Sequence, residues 1–320
     1  MAGMLAAYLD SGSLSLRQAA MPPRPRTQAL LRMVRAGICN TDLELQRGYY
    51  NFQGVPGHEF LAVVIECDTP ALIGKRVVGE INLACGRCEY CALKLGRHCL
   101  NRSVLGIVKH PGAFAEYFTL PVENLHPIPD EISSDEAVFV EPLAAACEIL
   151  DQISIPSPSE VAVVGDGKLG LLIAQVLRAY RIDVIVYGRH EAKLDIARRS
   201  GARACITDNP PPAKYPFVIE CTGSPAGLRQ AVQMVRARGT VVLKSTIHGE
   251  VSLDTAPVVV NEITLVGSRC GRFEPAIELL RDRKVDVRSM IAGRFPLSDV
   301  VTAFAEAARP GVLKVLLTND

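Results

Sequence analysis

The sequence lacks the features that mark several protein classes. It has no tryptophan and only 5% aromatic residues, and its 35 Lys and Arg residues against 34 Asp and Glu leave a formal net charge of +1. Without an excess of positive charge, no broad basic face can neutralise a phosphate backbone, which disfavours nucleic-acid binding. No apolar run approaches the roughly 20 residues of a membrane span, and the opening MLAAYLD is too short and too acidic for a signal peptide. These absences predict a cytoplasmic protein without nucleic-acid or membrane partners.

Cysteine, in contrast, is abundant and unevenly distributed. In a long chain with no predicted secretory signal, ten cysteines favour metal ligation or burial over a disulfide framework. Four of them, Cys85, Cys88, Cys91 and Cys99, follow the pattern CxxCxxCx7C. Four thiolates at such separations can close around zinc with no open coordination position, which predicts a structural site. Iron–sulfur ligation is the alternative.

The pattern of apolar residues changes along the chain. From Met4 to about Leu120, short strand-like runs alternate with Pro and Gly clusters, which predicts a β-rich first part. After Pro156, six runs of strand length, the third over 204–208, alternate with amphipathic helices, which predicts a doubly wound parallel sheet and hence the α/β class. The helix over 224–239 is predicted to stop at Gly239. The segment after about Phe273 is too short for a domain and is predicted to pack back on the β-rich part.

The run VAVVGDGKLG predicts a dinucleotide site. Gly165, Gly167 and Gly170 have the GxGxxG spacing at the end of an apolar strand, with Lys168 and Leu169 completing the loop before an apolar helix. The glycines would allow a tight turn, close approach of a pyrophosphate, and packing of helix against strand. An ordinary glycine turn is the alternative.

The end of the next strand bears on the choice of coenzyme. An NAD-binding protein usually offers Asp or Glu to the ribose 2′-hydroxyl about twenty residues after the loop, and this chain has Gly188, Arg189 and His190 there. A missing carboxylate removes repulsion toward a 2′-phosphate, and Arg can grip that phosphate. The sequence therefore predicts that NADP(H) is preferred over NAD(H). The alternative is that Arg189 only solvates the start of a helix.

Three further residues suggest a second metal site. Cys39, His58 and Glu141 are far apart in sequence and offer sulfur, nitrogen and oxygen. Three mixed ligands plus water are typical of a catalytic zinc. Taken singly, each residue has an ordinary alternative as a buried or turn residue.

Together these pieces resemble the zinc-containing medium-chain dehydrogenase/reductases, the superfamily of alcohol, polyol, threonine and glucose dehydrogenases. The motifs occur in the expected order over nearly the whole chain: GICNTD, GHEF, the four cysteines, GAFAEY, EPLA, GDGKLG and the final LKVLL. The resemblance implies a GroES-like β-rich catalytic domain over 1–145, with a structural zinc lobe at about 85–99. It further implies a Rossmann NAD(P)-binding domain over 146–273, a return over 274–320 that completes the catalytic domain, and an active site in the cleft between the domains.

The resemblance also implies roles for single residues. Cys39 and His58 match the first two catalytic zinc ligands, and the four clustered cysteines match the structural zinc. Thr41 matches the hydroxyl that takes the alcohol proton, and Asp42 matches the carboxylate that hydrogen-bonds the zinc-bound His. Glu59 matches an acid that ligates zinc transiently.

Other positions depart from the family or vary within it. Glu44 stands where many relatives carry a His that relays protons, and a carboxylate can take that part. Glu141, in its EPL setting, matches the third ligand of the sorbitol and glucose dehydrogenase branch, with Cys147 as the competitor. Thr222 and Gly223 follow the strand end where the coenzyme ribose passes in the family.

The function that follows is reversible hydride transfer between NADP(H) and a small alcohol, polyol or carbonyl compound, in a homodimer or homotetramer with two zinc ions per chain. Binding of vicinal diols or sugars is favoured by a carboxylate in the ligand set. The alternative from another class is a non-catalytic NADPH-binding sensor or scaffold that retains only the structural zinc. Metal-free enone reduction is disfavoured, because relatives with that activity generally lack these ligands.

Overall fold

The computed structural model describes residues 3–206, 209–247 and 249–319. Its contacts divide the chain into two compact units. The first comprises Met1–Glu141 together with Ile291–Asp320, and the second comprises Pro142–Met290.

Short strands predominate in the first unit, and strands alternate with helices in the second. The strands are β1 (Gly3–Asp10), β2 (Ser13–Ala20), β3 (Gln28–Ile38), β4 (Glu59–Glu66), β5 (Arg76–Gly79), β6 (Asn82–Leu83), β7 (Ser103–Leu105), β8 (Lys109–His110), β9 (Tyr117–Pro121), β10 (Leu125–Pro127), β11 (Glu160–Val164), β12 (Asp183–Gly188), β13 (Arg203–Ile206), β14 (Tyr215–Glu220), β15 (Val235–Leu243), β16 (Thr264–Gly267), β17 (Ile291–Pro296) and β18 (Lys314–Thr318). The α-helices are α1 (Asn40–Gln46), α2 (Glu89–Ala92), α3 (Ser134–Ala137), α4 (Val140–Gln152), α5 (Lys168–Ala179), α6 (Glu191–Arg199), α7 (Pro225–Met234), α8 (Ala256–Val260), α9 (Phe273–Arg281) and α10 (Val300–Ala307). No α-helix within the described ranges is long and apolar enough to cross a lipid bilayer.

The first unit is built on a mixed sheet in which β3 is central. The strand order is β10-β5-β4-β3-β18-β17, and β9 also pairs with β3. Side chains of β3 alternate between buried and half-exposed along most of its length, as expected for a strand that covers a core on one face. The last strand of the chain, β18, lies antiparallel to β3, so the chain end completes the sheet of the first unit.

The second unit contains the predicted doubly wound sheet. All pairings are parallel and the order is β13-β12-β11-β14-β15-β16. The β11 strand is buried from Val161 to Val164 because helices cover both faces of such a sheet. Strand order reverses between β11 and β14, and ligands of such folds bind beyond the carboxyl ends of strands at that point.

Two boundaries differ from the sequence-based expectation. The helix predicted over 224–239 ends at Met234, and its last five residues begin β15, because the β-branched Val235 is extended and pairs with Tyr215. In the strand predicted over 204–208, the last two residues lie outside the described residues.

The C-terminal segment also divides differently from the prediction. Helix α9 lies in the second unit, whereas the sequence analysis placed residues 274–290 with the return. Phe273, Ala276 and Leu280 are buried there. In addition, the Gln175 side chain bonds both the N–H and the carbonyl of Asp286, which ties the segment after α9 to helix α5.

Candidate active site

The four clustered cysteines form a compact sulfur cage around the short helix α2. Their sulfur atoms all lie within 4.8 Å of one another. The Cys88 Sγ is 3.5 Å from that of Cys91 and 3.6 Å from that of Cys99. Tetrahedral Zn–S bonds place sulfurs about 3.8 Å apart, so this donor set fits zinc closely.

Backbone donors near the cage favour thiolates at some positions. The Cys85 N–H points to Cys99 Sγ at 3.3 Å. A hydrogen bond from the Arg87 backbone, with others from neighbouring groups, lowers the pKa of Cys85 to about 6. Desolvation and the adjacent sulfurs raise the pKa of Cys91 to about 11. This split is expected when thiolates so close together repel one another, and a bound cation would relieve it.

A second group of ligand atoms lies at the junction of β3, α1 and β4. Cys39 follows β3 directly and is the N-cap of α1, and His58 immediately precedes β4. The ligand atoms of Cys39, His58 and Glu59 all lie within 4.8 Å of one another. His58 and Glu59 are buried and Cys39 is half-buried, so the group is shielded from bulk water but is not closed off.

Residues of α1 organise this group. Asp42 is fully buried and accepts hydrogen bonds from the Cys39 N–H at 2.8 Å and the Gly57 N–H at 3.2 Å. Its Oδ1 lies 3.4 Å from His58 Nδ1, an electrostatic contact longer than a good hydrogen bond. The Thr41 Oγ1 lies 3.8 Å from Cys39 Sγ, which brings a hydroxyl to the edge of the group.

A buried ion pair between Glu59 and Lys314 adds a feature that the sequence analysis missed. Both side chains are 1% exposed, and the Lys314 Nζ donates to Glu59 Oε2. Burial alone lowers the pKa of Lys314, but Glu59, Cys39 and Asp42 outweigh it, so the pKa lies above its usual value. Gly37 makes room for the pair, since a Cβ there would lie 2.6 Å from the Glu59 carboxylate. The feature of the sequence that could have predicted this pair is the single lysine in the otherwise apolar run LKVLL.

In the described part of the chain, Glu59 Oε1 is buried without a hydrogen-bond partner, whereas His58 Nδ1 faces Asp42 and leaves the Nε2 of the ring as the nitrogen able to bind a metal. Unpartnered buried polar atoms are costly in free energy unless a ligand or ion engages the site. Together with the mixed sulfur, nitrogen and oxygen donors, the unpartnered oxygen fits a zinc ion with an open coordination position.

The other residues predicted to bind the catalytic zinc or relay protons lie outside the group of Cys39, His58 and Glu59. Glu141 is half-buried in the first turn of α4, and the group formed by the structure contains Glu59 rather than Glu141. Cys147 is buried in the second unit, where desolvation raises the pKa of its thiol to about 12 and so disfavours the thiolate that zinc needs. Glu44 forms an ion pair with Arg47 at 2.7 Å.

In the second unit, the three glycines of the GDGKLG loop have the geometry of a phosphate cradle. Gly165 has a φ of +118° and turns the chain out of β11. A Cβ on Gly170 would lie 2.1 Å from the Gly165 carbonyl oxygen, so only glycine allows this packing. A Cβ on Gly167, in contrast, would meet no heavy atom of the described residues within 4 Å. The space in front of the N-terminus of α5, beside Lys168 and Leu169, is therefore open.

The turn after β14 forms the opposite wall. The Glu220 carboxylate accepts hydrogen bonds from the Thr222 N–H and hydroxyl, each at 2.6 Å. Gly223 has a φ of +69°, and its N–H donates to Ser245 Oγ at 3.0 Å. These bonds fix the turn and leave Thr222 and Gly223 exposed at the carboxyl end of the sheet.

A cavity of about 450 Å³ lies between these two turns and includes Gly188, Arg189 and His190 in its lining. A larger cavity of about 650 Å³, which contains Cys147, lies at the amino ends of β11 and β12. We assign nucleotide binding to the first, because parallel sheets bind ligands beyond the carboxyl ends of their strands. Asp166 also lines it, and the sequence analysis gave that residue no role.

Comparisons with known proteins agree with this geometry. The profile of the alcohol dehydrogenase GroES-like domain matches residues 25–130, and that of the zinc-binding dehydrogenases matches residues 169–282. An L-threonine 3-dehydrogenase of Streptomyces coelicolor is 32% identical, over 90% of this chain and 91% of its own. This chain belongs to the zinc-containing medium-chain dehydrogenases.

Other dehydrogenases extend the likeness over nearly the full length of the chain. A sorbitol dehydrogenase of Halalkalibacterium halodurans is 27% identical over 96% of both chains. A protein of Sinorhizobium meliloti described as a zinc-binding dehydrogenase, solved with NADP, superposes with a TM-score of 0.91 at 28% identity over 100% of both chains. An Escherichia coli alcohol dehydrogenase solved with NADH gives 0.92 at 25% identity, also over 100% of both chains. The predicted fold and the assignment as an oxidoreductase of the alcohol dehydrogenase type are thus confirmed.

Proposed function

We propose that this dehydrogenase catalyses the reversible oxidation of a small alcohol or polyol to the corresponding carbonyl compound, using zinc and a nicotinamide dinucleotide. The observation that carries the proposal is the group of Cys39, His58 and Glu59, in which the buried Glu59 Oε1 has no hydrogen-bond partner within the described residues. A non-catalytic sensor has no need for such a group.

Cys39 and His58 would hold the catalytic zinc, and Cys85, Cys88, Cys91 and Cys99 would hold the structural one. For the third catalytic ligand, the proximity of Glu59 supports Glu59, and the EPL motif supports Glu141. Zinc supplies a Lewis acid that lowers the pKa of a hydroxyl, and the nicotinamide ring supplies the hydride acceptor.

The protein residues would manage the proton. Thr41 Oγ1, at the edge of the group, would accept the proton of the substrate hydroxyl. Glu44 lies one turn further along α1, where its carboxylate would carry the proton to solvent, and Arg47 holds it in place. Asp42 would orient the His58 ring through Nδ1.

Polyol substrates are supported by the sorbitol dehydrogenase among the relatives and by the carboxylates of the site. Self-association is supported by β16, which ends the sheet order over the described residues, and by Val259 and Val260 in the preceding helix, which are 74% and 78% exposed. A homodimer or homotetramer and a cytoplasmic location stay predictions.

NADP(H) preference also stays a prediction, supported by the exposed Arg189 in the lining of the nucleotide cavity. The related structures, one solved with NADP and one with NADH, do not favour either coenzyme for this chain.

The test is a screen of alcohols, polyols, sugars and hydroxy amino acids with both coenzymes, combined with metal analysis. We expect two zinc ions per chain and turnover that is lost in Cys39→Ala. Glu59→Ala and Glu141→Ala, measured in parallel, identify the third ligand by loss of one zinc. One zinc per chain together with coenzyme binding but no turnover would instead support the sensor.

A further inference from the structure

A carboxylate lies beside the end of β12, but it belongs to a residue of another segment. Where an NAD-binding strand usually ends in Asp or Glu, this chain has Gly188. A Cβ on Gly188 would lie 2.6 Å from Asp166 Cβ and 2.7 Å from Asp166 Oδ2. The side chain of Asp166, from the glycine loop, therefore occupies the space beside the strand end, and any residue larger than glycine at 188 would displace it.

The Asp166 carboxylate is fixed by three contacts. Its Oδ2 accepts hydrogen bonds from the backbone N–H groups of Arg189 at 2.8 Å and His190 at 2.7 Å, and it lies 3.0 Å from His190 Nδ1. The residue is only 8% exposed. Burial alone raises the pKa of the carboxyl, but the hydrogen bonds from Arg189 and His190 outweigh it and leave the pKa below its usual value. The group is thus an ordered negative charge at neutral pH.

This arrangement uses the donors that a 2′-phosphate would need. The two N–H groups that follow β12 already bond Asp166, as does the His190 ring. A phosphate placed beside them would face a fixed like charge, and such juxtapositions are costly. In contrast, Asp166 Oδ1 takes no hydrogen bond within the described ranges, so it is able to accept one from a ribose hydroxyl.

We propose that Asp166 takes the place of the acidic residue missing from the end of β12, accepts a hydrogen bond from the adenosine ribose, and makes NAD(H) the preferred coenzyme. The inference rests on the proposed function, in that it concerns the coenzyme of that reaction. It contradicts the NADP(H) preference predicted from Arg189. The sequence has no carboxylate at position 188, but in the structure the Asp166 carboxylate occupies the space beside that position.

The test is direct coenzyme binding, measured without substrate by titrating the full-length zinc-loaded protein into NADH and into NADPH and following reduced nicotinamide fluorescence. We expect the wild type to bind NADH about tenfold or more tightly than NADPH, and Asp166→Asn to bring the two dissociation constants within about threefold of each other. Asp183→Asn is the matched control, since it removes a carboxylate at the opposite end of β12 and should leave the ratio unchanged.

A double variant that moves the carboxylate to the strand end tests whether the effect of Asp166→Asn comes from a general loss of structure. In the double variant Asp166→Ala with Gly188→Asp, the acid returns to the strand end, and the preference for NADH should return with it. Equal or tighter binding of NADPH by the wild type would overturn the inference, as would a ratio unchanged in Asp166→Asn. Tight, selective NADH binding without turnover of any alcohol would refute the proposed function and leave this inference standing.

Discussion

The two groups of metal ligands in the first unit achieve their geometry in opposite ways. The sulfur cage draws four identical donors from residues 85–99, most of them half-buried, and brings their sulfur atoms within 4.8 Å of one another. The group at residues 39, 58 and 59 draws three different donors from the ends of β3 and β4, buries two of them, and leaves Glu59 Oε1 unpartnered within the described residues.

The difference shows what each group is suited for. Four thiolates satisfy the coordination of zinc completely, so the cage can only stabilise. The mixed group depends on the sheet for its geometry and on Lys314 for its charge balance, and a zinc ion held by its three donors would keep a position for a substrate.

Removing a ligand from the mixed group should abolish activity and spare the fold. We expect Cys39→Ala to reduce kcat/KM by about 10³-fold or more, with one zinc lost per chain and little change in Tm. Initial rates, metal analysis and thermal melting measure the three quantities. Cys205→Ser, at a half-buried cysteine outside both groups, is the control. Retained activity with one zinc lost would reverse the roles of the two groups.

Breaking the buried ion pair should affect stability more than most substitutions. In the metal-free protein, Lys314→Met leaves the Glu59 carboxylate buried without a counter-charge, and we expect the free energy of unfolding to fall by about 3 kcal/mol. Denaturant unfolding gives the value. The double variant with Glu59→Gln should recover part of the loss, because no uncompensated charge remains. Equal losses in the single and double variants would show that Lys314 stabilises through packing alone.

Removing a ligand from the sulfur cage should have the converse effect of Cys39→Ala. Cys91→Ser is expected to lose one zinc and to lower Tm by about 5 °C, while kcat/KM of the folded protein stays within about threefold of the wild type. Metal analysis and melting with and without added zinc measure this. Loss of turnover at full folding would mean that the cage also serves the reaction.

The nucleotide loop offers a comparison for the two groups of metal ligands, because the charge of Asp166 is stabilised there without a metal. Because the folded-state pKa of Asp166 lies below the ordinary aspartate value of 3.8, its charge contributes to stability above pH 3.8 and ceases to do so as pH falls through the folded-state pKa. Asp166→Asn should therefore cost about 1 kcal/mol at pH 7 and progressively less toward pH 3. Denaturant unfolding at both pH values measures the difference. A cost independent of pH would assign the effect to shape.

Patterns local in sequence predicted much of the molecule. The cage follows from four closely spaced cysteines, and the glycine loop follows from an apolar strand, a fixed spacing and a helix. In both cases the chain between the functional residues is too short to allow many alternatives. The doubly wound parallel sheet also follows, because alternating strands and helices have few ways to pack.

Residues that depend on distant neighbours escaped prediction. The role of Lys314 depends on the pairing of β18 with β3, which brings Lys314 to Glu59, a residue far from it in sequence. The end of the helix at Met234 was misplaced because pairing with Tyr215 outweighs local helix preference.

The sequence by itself indicated the division into a β-rich and an α/β part, the sulfur cage and the glycine loop, since each rests on spacing along the chain or on periodicity. The candidate ligands Cys39 and His58 came instead from the resemblance to the family. Only the tertiary structure shows that the Glu59 carboxylate lies within 4.8 Å of the Cys39 and His58 ligand atoms and pairs with Lys314, and that the Asp166 side chain occupies the space beside Gly188. The reason is physical: burial and electrostatic pairing depend on distances through space, and residues far apart in the chain acquire those distances only when the strands pair.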